Sequence, residues 1–490
     1  MKFGKFYFGY NATVDKGRRQ APATRVRHEG DVLTRHKRQK LQATAQDQMR
    51  NHALVPWMVR KHLDYVSKFH FSFRTELPAV DTLVNRIFRW HGQPGNLDFM
   101  RRFGRDELFR MYEMEKVVNG DAALIKLPNL KLQAIESDLI AKGVGAPESV
   151  NDFGLVVDDW GRTDQYAICH RRQGLHNNIE FDHLEPYYNV IFDAYWTRLS
   201  SQYRGVSPLS VAINTVQDIH ESFEYNLLKA KMHALFGIAI MRDSDGTDGD
   251  LGGAGGATDE TDGEDASADG SSFDLNPRAI NILDLNPGEK TEVLESRTPS
   301  SEFVEGSHLF IHIAMLALDI PVTSFDSRKS SFSARIADLN EYEVSADYKR
   351  TKNKYVRQAY SDWVIDTIWN NPQSPWPLRR VAEQNGMSKR DVQEACEWVP
   401  SGSPWLDKLK QVQGDQLSID IGLDNSIDAA RRRGQSVFAN IDKQKKVIEY
   451  ARKQGVPLLM GKAGSKSIEE IVQDEITKTK ENDAGGTDDD

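Results

Sequence analysis

A chain of 490 residues has material for two or three domains, or for one elongated subunit with appendages. Its 39% hydrophobic content supports real cores, a mean hydropathy of -0.57 leaves much surface wet, and the formal charge of -9 is uneven: the first forty residues are basic, and the acid sits in a central insert and the C-terminal tail. Two cysteines exclude a disulfide framework and a cysteine zinc site, and the lack of an apolar leader or of any run of about 18 apolar residues points to a soluble protein of a reducing compartment.

Met1 to Lys40 is basic and poorly periodic, and reads as a flexible arm. From Leu41 a helical pattern places Leu54, Trp57, Met58 and Leu63 on one face, and Pro56 must kink or divide it. Asp106 to Val118 is a further helix, stopped by Asn119-Gly120. Strands follow in DAALIKL, LQAIES, FGLVVDDWGRTDQYAICHRR and NVIFDAYW, with Asp158–Arg162 as a hairpin connection. After Arg204-Gly205, Ser207 and Pro208 start a long helix with a stripe of Ile213, Val216, Ile219, Phe223, Leu227 and Ala230. A short strand GIAIM then leads into an acidic Gly/Asp/Ala/Ser insert, Asp243 to Asp274, with almost nothing to bury. AINILDLNPGEKTEVLES reads as two strands about an Asn286-Pro287-Gly288 turn.

The stretch from Phe303 to Trp369 organises the rest. A nearly all-apolar helix, expected to be buried on most sides, must end near Ile320 because Pro321 lacks an amide hydrogen. A serine-rich loop, PVTSFDSRKSSF, leads into a long amphipathic helix carrying Val356, Tyr360, Trp363 and Ile368. The cations of YKRTKNKYVR within it read as an exposed face. Beyond lie LRRVAEQNGMSKRDVQEACEW, a Pro/Trp loop, helices around Leu406–Leu423 and Ile441–Gln454, and a polar tail from Gly461.

Enzymatic patterns fail on inspection. His308 and His312 share a helix face, but no Glu follows His308 as a metalloprotease helix requires, so they read as packed or interface histidines. In VPLLMGKAGSKS, Ser465 precedes Lys466 where a phosphate loop needs glycine. DSDGTDGD lacks the acidic spacing and closing Glu of a calcium loop. No catalytic, cofactor-binding or metal-binding residue is assigned. The competing reading, a nucleotide- or metal-dependent nucleic-acid-processing enzyme, would need convergent catalytic residues.

Several segments, in order, resemble the lambda-like family of tailed-bacteriophage portal proteins. GLVVDDWGRTDQY (Gly154 to Tyr166) is similar to the family's hairpin, with Thr163 where proline is usual. Arg204-Gly205-Val206-Ser207-Pro208 is similar to the opening of its long helix, NPGEKTEVLESRTPSSEF to the segment before its second one, and Trp398 to Leu423 to a later Trp/Pro stretch, with Lys408 replacing proline. The resemblance covers Leu41 to Pro457.

It implies an α+β portal fold, usually a dodecameric ring around a DNA channel. Residues 41–206 would be a mixed α+β wing, 207–236 and 301–320 the stem helices, and 237–300 a small β clip holding the insert 243–274. Residues 321–332 would be the tunnel loop, 333–370 the tunnel helix, 371–460 C-terminal wing or crown helices, and 461–490 an acidic polar tail. The implied partners are a homo-oligomeric ring, double-stranded DNA, terminase, a head–tail adaptor and a major capsid or scaffolding protein, with no membrane. The implied location is one capsid vertex of the virion, and the host cytoplasm during assembly. A net negative ring would repel DNA from its wall and let it slide. Thr323, Ser324, Arg328, Lys329 and Ser330 of the loop are the residues expected to meet DNA, with Arg328 and Lys329 as the phosphate contacts.

Overall fold

The periodic pattern from Leu41 divides, but not at its proline. In the computed structural model, which describes residues 26–171, 179–235, 239–240, 283–284, 300–328, 330–402 and 408–455, a short helix α1 (Glu29–Val32) precedes α2 (Arg35–Asn51) and α3 (Leu54–Val66). The break falls at His52-Ala53. Pro56 sits in the first turn of α3, where an amide hydrogen has no intrahelical partner to lose. The arm expected to reach Lys40 is therefore folded from Glu29 onward, and its Arg38 is buried.

Strand β1 (Phe69–Phe73) and helices α4 (Pro78–His91), α5 (Pro94–Leu97) and α6 (Arg105–Asn119) come next. Gly120, at φ 96, supplies the left-handed cap that ends α6. Then β2 (Asp121–Leu127), β3 (Lys131–Ile135), β4 (Leu155–Val157), β5 (Thr163–Arg171), β6 (Ile179–Pro186) and β7 (Val190–Ala194) form two three-stranded antiparallel sheets, ordered β3-β2-β7 and β4-β5-β6. Asp158–Arg162 does connect β4 to β5: the Asp158 carboxylate accepts the Trp160 and Arg162 amides, and Gly161 takes φ 83. Ala123, Ile125, Ile140, Leu155 and Ile168 are buried in one cluster that joins the two sheets.

A 3-10 turn over Pro208–Val211 opens α7 (Ile213–Leu235). Two-residue strands β8 (Ala239–Ile240) and β9 (Leu283–Asp284) pair in parallel. The insert 243–274 and the Asn286-Pro287-Gly288 turn lie outside the described residues. Helix α8 (Ser301–Met315) is capped by the Ser300 hydroxyl, and α9 (Phe332–Asn370) by Ser331. Helices α10 (Leu378–Gln384) and α11 (Lys389–Glu394) lead to β10 (Cys396–Pro400), which pairs with β1, Phe71 opposite Trp398. Trp398 is buried against the C-terminal half of α9 and donates its indole hydrogen to Ser361 at 2.8 Å. The residues to Pro400 make one compact unit, and those from Ser401 a second, containing α12 (Lys408–Asp420), α13 (Ser426–Arg432) and α14 (Val437–Gln454).

Candidate functional site

The root of α7 is fixed by a buried ionic node. Arg204 donates from Nε and Nη2 to the two oxygens of Asp121, both at 2.7 Å, and its remaining hydrogens reach the carbonyls of Ile140, Phe153 and Ser137. Arg38 donates to the same carboxylate at 3.1 Å, as does the Gly205 amide at 3.0 Å. Burial alone would raise the Asp121 carboxyl; the two guanidiniums and their hydrogen bonds overrule it and hold it at about 2. Glycine is required here because the backbones of Gly120 and Gly205 touch. A Cβ on Gly205 would lie 2.0 Å from the Gly120 carbonyl oxygen. Ser207 then donates to the Val117 carbonyl and accepts from the Leu209 amide, tying the turn onto α6.

A second node sits under α3. Glu113 is fully buried, accepts from Tyr195 at 3.3 Å, lies 3.1 Å from His62 Nε2 and 2.7 Å from Lys116 Nζ. Lys116 also bonds Asp193 at 2.7 Å. Burial opposes the Glu113 charge, but Lys116 and His62 keep its carboxyl at about 2. Burial pushes the His62 ring below its ordinary value, against the pull of Glu113.

From this base the apolar stripe of α7 runs out of the core. Ile213, Val216 and Ile219 are buried, whereas Phe223, Leu227 and Leu228 are exposed. Helix α8 does likewise. Ile311, Ala314 and Met315 face the core, but Leu309 (58%), Phe310, Ile313 (45%) and Leu316 are exposed, so the expectation of burial on most sides is not met within one chain. Its sequence is apolar nearly all round, while one subunit offers packing partners on one side only. Phe223 and Phe303 meet edge to face at 5.5 Å, joining the two helices. The helices and Phe325 bound a groove of about 540 Å³ lined by Phe223, Leu227, Val304, Ile311 and Arg328. His308 lies against the Phe325 ring at 6.4 Å, and no group of three candidate metal ligands occurs among the described residues.

Helix α8 ends earlier than Pro321 demands. A 3-10 turn covers Leu316–Leu318, and Asp319 takes φ 59. Its carboxylate accepts from Lys349 and Ser345 of α9, both at 2.7 Å, and Lys349 also caps the Leu318 carbonyl. In the loop, Thr323 is buried and Ser324 half-buried; Ser330 donates to the Ser327 carbonyl at 3.1 Å. Arg328 is exposed, but its guanidinium is bridged to Asp326 at 3.0 and 3.1 Å. That bond holds the Asp326 carboxyl at about 2. Lys329 lies outside the described residues. The loop thus presents Arg328 as half of an ion pair and turns Thr323 inward.

The cations of α9 do not all face water. Arg350 donates to the Tyr65 carbonyl and pairs with Glu343; Arg357 donates to the Ser67 carbonyl at 2.7 Å, with Phe69 4.2 Å from its guanidinium carbon. Both are buried, correcting the reading of YKRTKNKYVR as a wholly exposed face. Those two carbonyls belong to the end of α3, which sequence spacing on α9 could not reveal.

No curated protein sequence matches the chain. Among solved structures it is similar to a chain in the neck of an empty GTA particle computed with C6 symmetry, at 14% identity and TM-score 0.37, covering 84% of this chain and 94% of that one. It is also similar to chains in the virion of a native gene transfer agent particle, at 14% identity and TM-score 0.35 over 81% and 93%, and in the neck of the native particle computed with C12 symmetry, at 14% and 0.36 over 80% and 93%. The profile of the phage portal protein, lambda family, matches residues 16–349, from the basic N-terminal region into α9, and leaves the Trp398–Leu423 stretch outside the match. That match spans more than half of the sequence, so the chain belongs to the lambda family of phage portal proteins, a family of structural and not catalytic subunits.

Proposed function

We propose that the chain is the repeating subunit of a closed ring, usually dodecameric in this family, that conducts double-stranded DNA at one capsid vertex during packaging and ejection. Helices α7 and α8 act as the stem, with residues 237–300 between them as the clip, 321–332 as the tunnel loop and α9 as the tunnel helix. Residues 41–206 form the wing, 371–460 its C-terminal helices, and terminase and a head–tail adaptor dock on the assembled ring.

The observation that carries this reading is the exposed apolar surface of α7 and α8 together with family membership. Phe310, Ile313, Leu316 and Phe223 stand in water on one subunit, and burying them is worth about 25 cal/mol per Å² of apolar area. Neighbouring copies of the same subunit would cover them all around a ring, leaving no exposed copy. The charge of -9 per subunit suits a wall that DNA slides past without gripping. The test is negative-stain electron microscopy of the purified protein with light scattering. Rings with a central hole are expected; a stable monomer across micromolar concentrations and several salts overturns the reading.

A further inference from the structure

Helix α4 and the segment that enters α10 form a basic, aromatic ledge. Arg89 and Trp90 lie three and four residues after Arg86, which puts all three on one exposed face of α4. Arg86 and Trp90 flank the Trp376 ring: the Arg86 guanidinium carbon stands 5.8 Å from its centroid and the Trp90 ring 5.6 Å. Trp90 itself is 41% exposed. From Trp376 the chain runs directly into α10, where Arg379 pairs with Glu383 at 2.9 Å and Arg380 is exposed. Among the described residues, Arg86, Arg89 and Arg380 have no carboxylate partner. In a chain of net charge -9 this is a local excess of cations.

The ledge is firmly mounted. His91, buried at the end of α4, lies 2.6 Å from the Tyr360 hydroxyl and 2.6 Å from the Leu130 carbonyl oxygen, and Leu378 and Ala382 bury the inner face of α10. Tyr360 lies roughly 42 Å along α9 from Phe332, so the ledge and the loop 321–332 sit near opposite ends of that helix. Like charges at helical spacing repel, and nothing in the fold offsets these; a polyanion would. Every free cation here is arginine, whose planar fork matches a phosphate and whose face rests on an aromatic ring.

We propose that Arg86, Arg89 and Arg380 make a second contact for double-stranded DNA, taking phosphates of the duplex backbone away from the loop, with the Trp376 ring orienting the Arg86 guanidinium. The choice of duplex DNA among polyanions rests on the reading of the chain as a DNA-conducting subunit. The test is fluorescence anisotropy of a short duplex with the full-length protein carrying Arg328→Ala and Lys329→Ala, so that the loop does not contribute, over a range of salt. Each phosphate contact contributes about 0.9 to the slope of log affinity against log salt. Adding Arg86→Ala, Arg89→Ala and Arg380→Ala should therefore lower that slope by about 2.7, and Arg86→Lys, Arg89→Lys and Arg380→Lys should keep it, a rescue that charge gives and packing does not. Removing as much charge from α14, with Lys443→Ala, Lys446→Ala and Lys453→Ala, should leave the slope unchanged. An unchanged slope in the arginine-to-alanine variant, or an equal fall in the α14 variant, overturns the proposal. Displacement of the duplex by polyglutamate of equal charge would show a surface for an acidic protein, and would overturn the assignment to DNA. Binding is read in whatever oligomer the protein forms and rings are scored apart by electron microscopy, so failure of the ledge and failure of the ring are distinguishable.

Discussion

Replacing Asp121 with Asn removes one charge from the node beneath α7 and leaves Arg204 and Arg38 buried without a counter-ion. Asn keeps the size of the side chain but turns one acceptor into a donor, facing guanidinium hydrogens. Breaking a buried pair from one side costs about 3–5 kcal/mol, a large share of the roughly 5–15 kcal/mol that holds a domain together. The acid limb gives an independent figure. The carboxyl is held at about 2 against an ordinary 3.8, a difference worth about 2 kcal/mol. Because the folded value is depressed, this contribution is complete above pH 4 and disappears as pH falls through 2. The assay is urea unfolding of the dissociated subunit, followed by tryptophan fluorescence between pH 2 and pH 7, with Asp326→Asn, whose Arg328 partner is solvated, as a control expected to leave the urea midpoint at neutral pH close to wild type. The Asp121→Asn variant should lose several kcal/mol at neutral pH and show a flatter acid limb. A loss under about 1 kcal/mol, with the acid limb unchanged, would refute the claim that this node anchors the helix.

Other outcomes are equally specific. Gly205→Ala should fail to fold or lose several kcal/mol, because its Cβ would sit 2.0 Å from a backbone oxygen; soluble yield and melting temperature check it. Gly306→Ala, on α8 with nothing within 4 Å, should stabilise the isolated subunit by up to about 1 kcal/mol, read as a higher urea midpoint. Phe310→Asp with Ile313→Asp should leave the subunit's melting temperature within a few degrees and abolish ring formation in light scattering; unchanged rings would remove α8 from the subunit interface. Arg328→Ala with Lys329→Ala should assemble normally, since the Arg328 side chain stands in solvent, and should lower particle DNA content by quantitative PCR. Wild-type DNA content and titre would reject the phosphate contact.

Local chemistry was legible where it acts locally. Asp158 and Gly161 specify their hairpin, Ser207-Pro208 the turn before α7, and Asn119-Gly120 the end of α6, because each feature is decided within a few residues. The pairing of β1 with β10 was not legible, since Phe71 and Trp398 come from distant parts of the chain and neither strand alternates cleanly. Strand β6, IEFDHLEP, is acidic and half-exposed, so composition hides it. The interior positions of Arg350 and Arg357 depend on carbonyls that α3 leaves unpaired at its end, a tertiary demand that overrides charge pattern. In the loop, spacing identified the cations but not the Asp326 bridge that restrains Arg328, nor the burial of Thr323.

The uneven seating of α9 has a mechanical consequence. No residue from Phe332 to Glu341 is buried, whereas from Tyr342 onward the helix is gripped by the core and pinned through Arg350 and Arg357 to the end of α3. Its first roughly 15 Å is at most half-buried, through Ile336, Asp338 and Leu339, and projects from a mounting of roughly 44 Å. A push on the loop at its tip is not absorbed by soft backbone along the way; it arrives as torque near Tyr342. The cross-brace from Lys349 to Asp319 lies just behind that point, so the same torque is handed to the foot of α8. A tilt of α9 about Tyr342 would therefore load the Lys349–Asp319 bridge at the foot of α8.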